Sequence, residues 1–392
     1  MQRPKFSGAI SSGFIVAGIV ALLGTGMPSA ARAAGAVCPQ TINIGLTTIL
    51  TSDVALLGVQ ARNGVQQAVD EINAKSGFAG KKVKLIVEDT GTSGAGAINA
   101  LNRVLEDKPL VVYSMMISPL VFAQSAIIKK AEIPFIVAAT NAKITAQGIP
   151  WLFRIHVHDG QLAEMLPNYV VHTMKKTKPA ILVVADDFGL GAQRAMAETF
   201  TKLGVPPVAL ASYAGTDKDM SSQLLNIKDK GADVVIVFGR PTDVTIILRT
   251  DKSLGLNLPV VGNASVVAQT ALANLTADEA NGSVAIGGMI PQASPDAAVK
   301  EWAKKVADKF KVPPDNYTPA YYDSVYLLKS IIDKVGCDKD AIRKELAATK
   351  DFQGLLIKYT ADKNGDLAHT AGIYRNNGRT PELIGKISES GF

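Results

Sequence analysis

The sequence predicts an α/β protein with two lobes, each built around a doubly wound parallel sheet. First, Thr41–Thr90 has the pattern strand, helix, strand, which is typical of a βαβ crossover. Second, another series of alternating strands and helices with the same rhythm begins after about His156. Third, 392 residues are more than one ordinary hydrophobic core holds, so two lobes are expected.

The opening βαβ unit provides a candidate binding loop. Thr41–Leu46 is an alternating β-branched run, Val59–Ala74 carries apolar residues at helical spacing, and Val83–Val87 is a second apolar strand. A crossover of this kind makes the two strands parallel and covers both faces of the sheet. Because ligands bind beyond the carboxyl ends of such strands, the loop Thr48–Leu57 is a candidate wall of a binding site.

The first series continues with further β-α pairs up to about His156. Pro119 is well placed for the first turn of a helix. The predicted elements are a helix at Ala95–Glu106, a strand at Leu110–Tyr113, a helix within Ser118–Pro134, a strand that begins at Phe135 and runs into a polar loop, and a strand at Trp151–His156.

The second series repeats this alternation. Its predicted helices are Gln161–Met174, Gly189–Leu203, Met220–Lys230 and Asp243–Leu254, and its predicted strands are Ala180–Asp187, Pro207–Ala211, Asp233–Gly239 and Leu258–Gly262. No low-complexity linker separates the two series, which favours several short crossovers over one flexible tether.

The pattern changes from Gly287 onward. Helices are predicted at Asp296–Phe310, Ala320–Val335 and Asp340–Ala348 without long strands between them. Short strands joined by Asn/Gly turns are then predicted at Gly354–Thr360, Thr370–Asn376 and Glu382–Ile387.

Residues 1–36 have the pattern of a secretory signal peptide. A basic start is followed by the apolar run Ile10–Leu23 and the small-residue site Ala31-Arg32-Ala33, with cleavage after Ala33 or Ala36. A permanent membrane anchor is the alternative. Without the three basic residues of this segment, 38 bases remain against 35 acids, and a net charge of +3 indicates neither nucleic acid nor a lipid surface as a partner.

The sequence contains no complete catalytic or cofactor motif, so we predict that the protein is not an enzyme and binds no cofactor. Gly94-Ala95-Gly96 follows a strand, but Asn99 stands where a dinucleotide loop needs its third glycine. His156 and His158 lack a third metal ligand, which favours a polar role at a lobe crossover. Asp186-Asp187 ends a strand, where a solvated loop is favoured over an acid/base pair.

Two loops at predicted strand ends are rich in small hydroxyl and amide groups. They are Ser114–Pro119 and Ala138–Asn141, and each leads from a strand toward a helix. Backbone amides and hydroxyls at such ends bind carboxylates, because donors converge there and the helix dipole favours negative charge. Helix capping is the alternative role for these Ser and Thr side chains.

These segments together resemble the periplasmic branched-chain amino-acid-binding protein family, the type I solute receptors of ABC importers. The resemblance rests on IGLTT, AVDEINA, VEDT, the Ser118-Pro119 helix start, AAT at 138–140, FRIHVHDGQ, ADDFGLG, ADVVIVFG and YYDSVYLLKSII, and it covers nearly the whole chain after residue 36. It implies a type I periplasmic binding protein fold, with two lobes joined by three crossovers, a ligand in the cleft, hinge closure and no catalysis.

The resemblance also implies lobes, partners and site residues. Lobe 1 would comprise residues 37–157 and 288–361, and lobe 2 would comprise 158–287 and 362–392. The protein would be a periplasmic monomer that works with the membrane permease of an ABC importer. A ligand carboxylate would contact Ser118, Ala138 or Ala139, and Thr140. Phe188 would make an aromatic contact from the second lobe, and Asn263 would lie in the site, with no metal. Cys38 and Cys337 would come close enough in lobe 1 to form a disulfide.

Two positions depart from the amino-acid-binding pattern of this family. Ala264 stands where those members place an acid that holds the ligand ammonium, and Arg240 stands where an aromatic residue is common. Like charges in a desolvated cleft repel each other by several kcal/mol, so Arg240 disfavours an ammonium nearby. Arg240 is instead predicted to bind a carboxylate or keto oxygen of the ligand, with Phe188 and Leu57 on the apolar side. The alternative for Arg240 is a salt bridge to Asp243 or another acid.

The sequence therefore predicts a small organic acid without an amine, such as an aromatic carboxylate or a 2-oxo acid, bound at least tenfold tighter than leucine or phenylalanine. A Leu/Ile/Val-type receptor is one alternative, and a ligand-sensing module of the same fold is another. An enzyme that uses Asp186 or His158 is the third.

Overall fold

The computed structural model describes residues 37–388. The predicted signal peptide at 1–36 lies outside the described residues. Within them, no helix has the length and apolar character needed to cross a membrane.

The first sheet has five parallel strands in the order β2-β1-β3-β4-β5. Its strands are β1 (Thr41–Thr48), β2 (Lys82–Asp89), β3 (Val111–Ser114), β4 (Phe135–Val137) and β5 (Leu152–Arg154). The helices between them are α1 (Ala55–Lys75), α2 (Gly94–Glu106) and α3 (Ser118–Ala131).

Helix α1 begins four residues before the predicted start at Val59. The chain turns at Ser52, and the Ala55 amide donates to the Ser52 carbonyl at 3.2 Å, so the first turn forms early. Gly58 makes this entry possible, since a Cβ there would lie 1.8 Å from the Ile49 carbonyl oxygen. The binding loop is therefore shorter than predicted, and Leu57 lies on the helix.

The second sheet has seven strands in the order β14-β13-β10-β9-β8-β6-β7 and is parallel except at β13 and β14. Its strands are β6 (Pro179–Val184), β7 (Ala209–Tyr213), β8 (Val234–Phe238), β9 (Val260–Gly262), β10 (Val284–Gly287), β13 (Thr370–Asn377) and β14 (Thr380–Ser388). Its helices are α4 (Asp159–Asn168), α5 (Asp187–Lys202), α6 (Ser221–Asp229), α7 (Pro241–Ser253), α8 (Gln269–Leu272) and α9 (Ala277–Ala280). Three elements that the sequence did not predict, β10, α8 and α9, are all four residues long.

The chain then returns to the first core with α10 (Ala297–Phe310), α11 (Thr318–Val335) and α12 (Lys339–Ala347). Three passages connect the lobes: β5 to α4, β10 to α10, and the segment before β13. Leu367 and Ala368, just before β13, still pack in the first core. The predicted fold is confirmed, and the residue limits proposed for the lobes remain predictions.

The strand predicted at Gly354–Thr360 is largely wrong. Only β12 (Lys358–Tyr359) forms there, paired with β11 (Phe352–Gln353). The amides of residues 355, 356 and 357 all donate to the buried Asp323 carboxylate at 2.8 to 2.9 Å. Because these amides converge on one side chain, they are not available to a β ladder.

The two cysteines form the disulfide that the resemblance implied. Cys38 lies just before β1 and Cys337 just after α11, and their Cα atoms are 5.0 Å apart. The bond therefore joins the start of the folded chain to a helix that returns to the same core.

Candidate functional site

A cavity lies between the two sheets, at the carboxyl ends of their central strands. It encloses about 720 Å³ of space, including its open mouth. The first lobe contributes Ser118 and Thr140, and the second contributes Phe188, Arg240 and Asn263. The cavity is thus where a doubly wound α/β sheet is expected to bind ligands.

Six of the eight predicted ligand residues line this cavity, namely Leu57, Ser118, Thr140, Phe188, Arg240 and Asn263. Ala138 and Ala139 do not line it, because their side chains are fully buried in the first core. Only the backbone peptide groups of this loop segment are therefore left to contact a ligand, and backbone groups cannot be recognised from the residue types. The roles assigned to these residues remain predictions.

The two strand-end loops of the first lobe are joined by Ser118. Ser118 is the first residue of α3, and its hydroxyl accepts a hydrogen bond from the Asn141 amide at 3.2 Å. The Asn141 side chain in turn donates to the Asp187 carbonyl of the second lobe at 2.6 Å. Thr140, 5% exposed, lies between these contacts and faces the cavity.

Asp159 is a buried carboxylate in the cavity wall that the sequence analysis did not assign to the ligand. It is 3% exposed, and within residues 37–388 neither carboxylate oxygen has a hydrogen-bond partner of ordinary geometry. Burial raises its pKa to about 7, while the nearby Thr140 hydroxyl and the Arg154 charge oppose that rise. In the sequence Asp159 looks like an ordinary acid at a helix start, so no local signal could have identified it.

Asp315 is a second acid in the cavity wall that was missed. One of its oxygens accepts the Tyr317 amide at 2.8 Å and the Thr318 amide at 3.1 Å. Burial raises its pKa to about 6 in spite of these bonds. The cavity therefore holds two carboxyl groups that titrate near neutral pH.

The two histidines contact other residues of the protein, and His156 also lines the cavity. His156 is buried, stacks on Tyr317 with ring centroids 4.7 Å apart, and pairs with Asn316 at 3.1 Å. Burial lowers its pKa to about 4, so it is neutral near pH 7. His158 caps α4 by accepting the Gly160 amide at 3.1 Å. In the described part of the chain no group of three potential metal ligands comes together.

Arg240 lies in the second-lobe wall and forms an ion pair with Asp186. The Arg240 backbone amide donates to the Asp243 carboxylate at 3.1 Å, and this bond caps α7. The salt bridge that was the alternative role for Arg240 therefore forms with Asp186 and not with Asp243. Asp186 also accepts the Gly189 amide at 3.0 Å. The Arg240 charge is therefore already balanced, which reduces its repulsion of a cationic ligand.

The second lobe also supplies an apolar surface. The rings of Phe188 and Phe238 contact each other with centroids 5.1 Å apart. Both residues line the cavity with Leu57, Met116 and Leu162. This wall suits a hydrocarbon or aromatic ligand body.

Comparison with known proteins identifies the family. A family model described as periplasmic binding protein matches residues 41–380. The chain belongs to the periplasmic binding protein family. The resemblance found in the sequence is confirmed.

Relatives of this periplasmic binding protein carry amino-acid names. It is 29% identical over 329 residues to the Leu/Ile/Val-binding protein BraC3 of Rhizobium johnstonii, covering 83% of this chain and 89% of the relative. It is 27% identical over 329 residues to an amino acid binding protein of Pseudomonas aeruginosa, covering 83% and 87%.

Solved structures confirm the fold. LivJ of Streptococcus pneumoniae in complex with isoleucine has a TM-score of 0.79 at 24% identity, covering 88% of this chain and 99% of LivJ. A solute-binding protein of Rhodopseudomonas palustris in complex with benzoate has a TM-score of 0.80 at 17% identity, covering 90% and 99%. The same fold therefore binds both amino acids and aromatic acids.

Proposed function

We propose that this protein is the periplasmic receptor of an ABC importer and captures a small apolar α-amino acid between its lobes. It works as a monomer, performs no catalysis and delivers the ligand to the membrane permease. The family match and the names of its relatives support the receptor role.

The observation that carries the choice of ligand is the buried carboxylate of Asp159 in the cavity, whose oxygens have no hydrogen-bond partner of ordinary geometry within residues 37–388. A buried charge without a partner is costly, and a ligand ammonium would supply the missing partner. The amine-free acid was preferred in the sequence analysis because no ammonium acceptor could be assigned. We propose Asp159, which lies beside Thr140, as that acceptor.

The rest of the cavity fits the other two parts of an amino acid. The Thr140 loop and the start of α3 present hydroxyl and amide donors for the α-carboxylate. Leu57, Phe188 and Phe238 form the apolar wall for the side chain. Carboxylate, ammonium and side chain thus each meet a complementary surface.

An aromatic carboxylate or a 2-oxo acid is the second candidate. Ala264 leaves the second lobe without an acid at the position where amino-acid-binding members have one, and Arg240 can offer donors to a carbonyl or carboxylate oxygen. The benzoate complex of a structural neighbour is in line with this ligand class. A ligand-sensing module of the same fold is a further alternative. Permease and ATPase genes next to this gene would distinguish an importer receptor from a sensing module.

Calorimetric titration with leucine, isoleucine, phenylalanine, 4-methyl-2-oxopentanoate and benzoate tests the proposal. We expect at least one amino acid to bind ten or more times tighter than its 2-oxo analogue. Asp159→Asn should weaken that amino acid at least tenfold and leave the oxo acid within about threefold. Tighter binding of the oxo acid or benzoate would favour the second candidate.

A further inference from the structure

Arg154, at the end of β5, is completely buried and makes a set of contacts that the proposed function does not use. Its guanidinium donates to the Asp366 carboxylate at 2.6 Å and to the Thr145 hydroxyl at 2.6 Å. Its Nη1 atom donates to the carbonyl oxygens of Ala139 at 3.1 Å and Asn141 at 2.9 Å. Arg154 is 0% exposed and is not part of the cavity wall.

These contacts determine how the Thr140 backbone is oriented. In a trans peptide the carbonyl of one residue and the amide of the next point in opposite directions. Because Arg154 holds the Ala139 carbonyl, the Thr140 amide points away from Arg154, and Thr140 itself lines the cavity. The Thr140 carbonyl is held separately by the Asp159 amide at 2.7 Å.

The charge of Arg154 is balanced away from the ligand. Asp366 is 2% exposed and belongs to the third passage between the lobes, where its backbone also pairs with Arg154. The Thr145 hydroxyl lies 3.1 Å from both Asp366 oxygens and completes the cluster. A fixed, neutralised guanidinium can orient peptide groups without itself attracting an anion into the core.

We infer that Arg154 is the positioning residue of the ligand carboxylate site. It acts through the Ala139–Thr140 peptide, which it orients so that the Thr140 amide donates to the carboxylate. This inference rests on the proposed function, in which a ligand carboxylate meets the Thr140 loop. A lysine has one compact ammonium and cannot replace a planar fork that serves two carbonyls, a hydroxyl and a carboxylate.

The test compares a carboxylate ligand with its primary amide, leucine with leucinamide and benzoate with benzamide, in wild type and Arg154→Lys. The acid/amide affinity ratio reports the carboxylate contact, whereas general loosening of the fold weakens both ligands alike. We expect the ratio to fall at least tenfold in Arg154→Lys while amide binding changes less than threefold. Arg343→Lys, at an ion pair remote from the cavity, should match wild type.

An Arg154→Lys protein that keeps the wild-type ratio would overturn the inference. If that variant does not fold, Thr145→Val replaces it, since it removes one anchor of the guanidinium with an isosteric side chain, and an unchanged ratio there has the same meaning. Failure of the proposed function looks different. In that case wild type itself would bind acid and amide equally, or would bind neither.

Discussion

The Asp159 amide donates to the Thr140 carbonyl at 2.7 Å, and the side chains of both residues face the cavity between the lobes. This single bond places a buried carboxylate next to the predicted carboxylate-binding loop. A donor region and an acceptor thus lie side by side, which is the arrangement that a zwitterionic ligand needs.

Ligand binding should be accompanied by release or uptake of a proton, and the direction of this proton transfer should identify the ligand class. The Asp159 pKa is raised to about 7, so a ligand ammonium that favours the ionised carboxylate must displace a proton. We expect amino-acid affinity to fall roughly tenfold from pH 8 to pH 6, with proton release on binding. Titrations in two buffers of different ionisation enthalpy measure this release.

An amine-free acid would show the opposite sign, because it favours the protonated Asp159 and should bind tighter at pH 6. Asp315, whose pKa is raised to about 6, titrates in the same range. The Asp159→Asn variant tests which of the two carboxyl groups releases the proton, because the release should disappear in this variant if Asp159 is its source.

Asp159→Asn should also stabilise the unliganded protein at high pH. Between about pH 4 and pH 7 the unfolded carboxyl loses its proton while the folded one keeps it, so the free energy of unfolding falls as pH rises. Because the variant does not bury this charge, its free energy of unfolding at pH 8 should exceed that of wild type by on the order of 2 kcal/mol. Thermal unfolding at pH 4.5 and pH 8 measures the difference, and an equal effect at both pH values would contradict it.

Arg240→Ala separates the two ligand candidates. If an amine-free acid uses Arg240, the variant should weaken it by about 1.5–3 kcal/mol through loss of a charge-assisted hydrogen bond. If an amino acid binds at Thr140 and Asp159, its affinity should change less than threefold. Arg249→Ala, on the helix that follows Arg240 and paired with Glu279, is the matched control for calorimetry.

The disulfide should be present in the purified protein and should stabilise it. Cys38 and Cys337 are 299 residues apart in sequence, and closing so long a loop is worth up to about 6 kcal/mol in the chain-entropy model. Replacing both by serine should lower the thermal midpoint, and the loss should match that seen on reduction of wild type. Labelling of unfolded, unreduced protein should detect no free thiol; two thiols would refute the bond.

Ligand binding should close the lobes around the cavity. Three passages connect the lobes, so rotation about them can bury the ligand without unfolding either core. Small-angle scattering should give a smaller radius of gyration with saturating ligand than without. Asp159→Asn at the same ligand concentration, below its own dissociation constant, should keep the unliganded profile.

The sequence alone determined the two-lobed fold and six residues of the cavity wall. The β-branched runs at Thr41–Leu46 and Asp233–Gly239, with helical spacing between strands, follow local rules of periodicity. The rule that ligands bind at the carboxyl ends of parallel strands pointed to the Thr140 loop, and the family resemblance pointed to Phe188 and Arg240, before any contact was known.

The tertiary structure alone decided the electrostatics of the cavity. Whether Asp159 is a solvated helix-start acid or a buried unpaired one depends on what packs around it, and its neighbours Thr140 and Arg154 come from other elements. In the same way, the charge of Arg240 is balanced by Asp186, which lies 54 residues earlier in the chain. Burial and pairing are properties of the packed three-dimensional environment, so local sequence patterns could specify the elements and could not specify the charges that face the ligand.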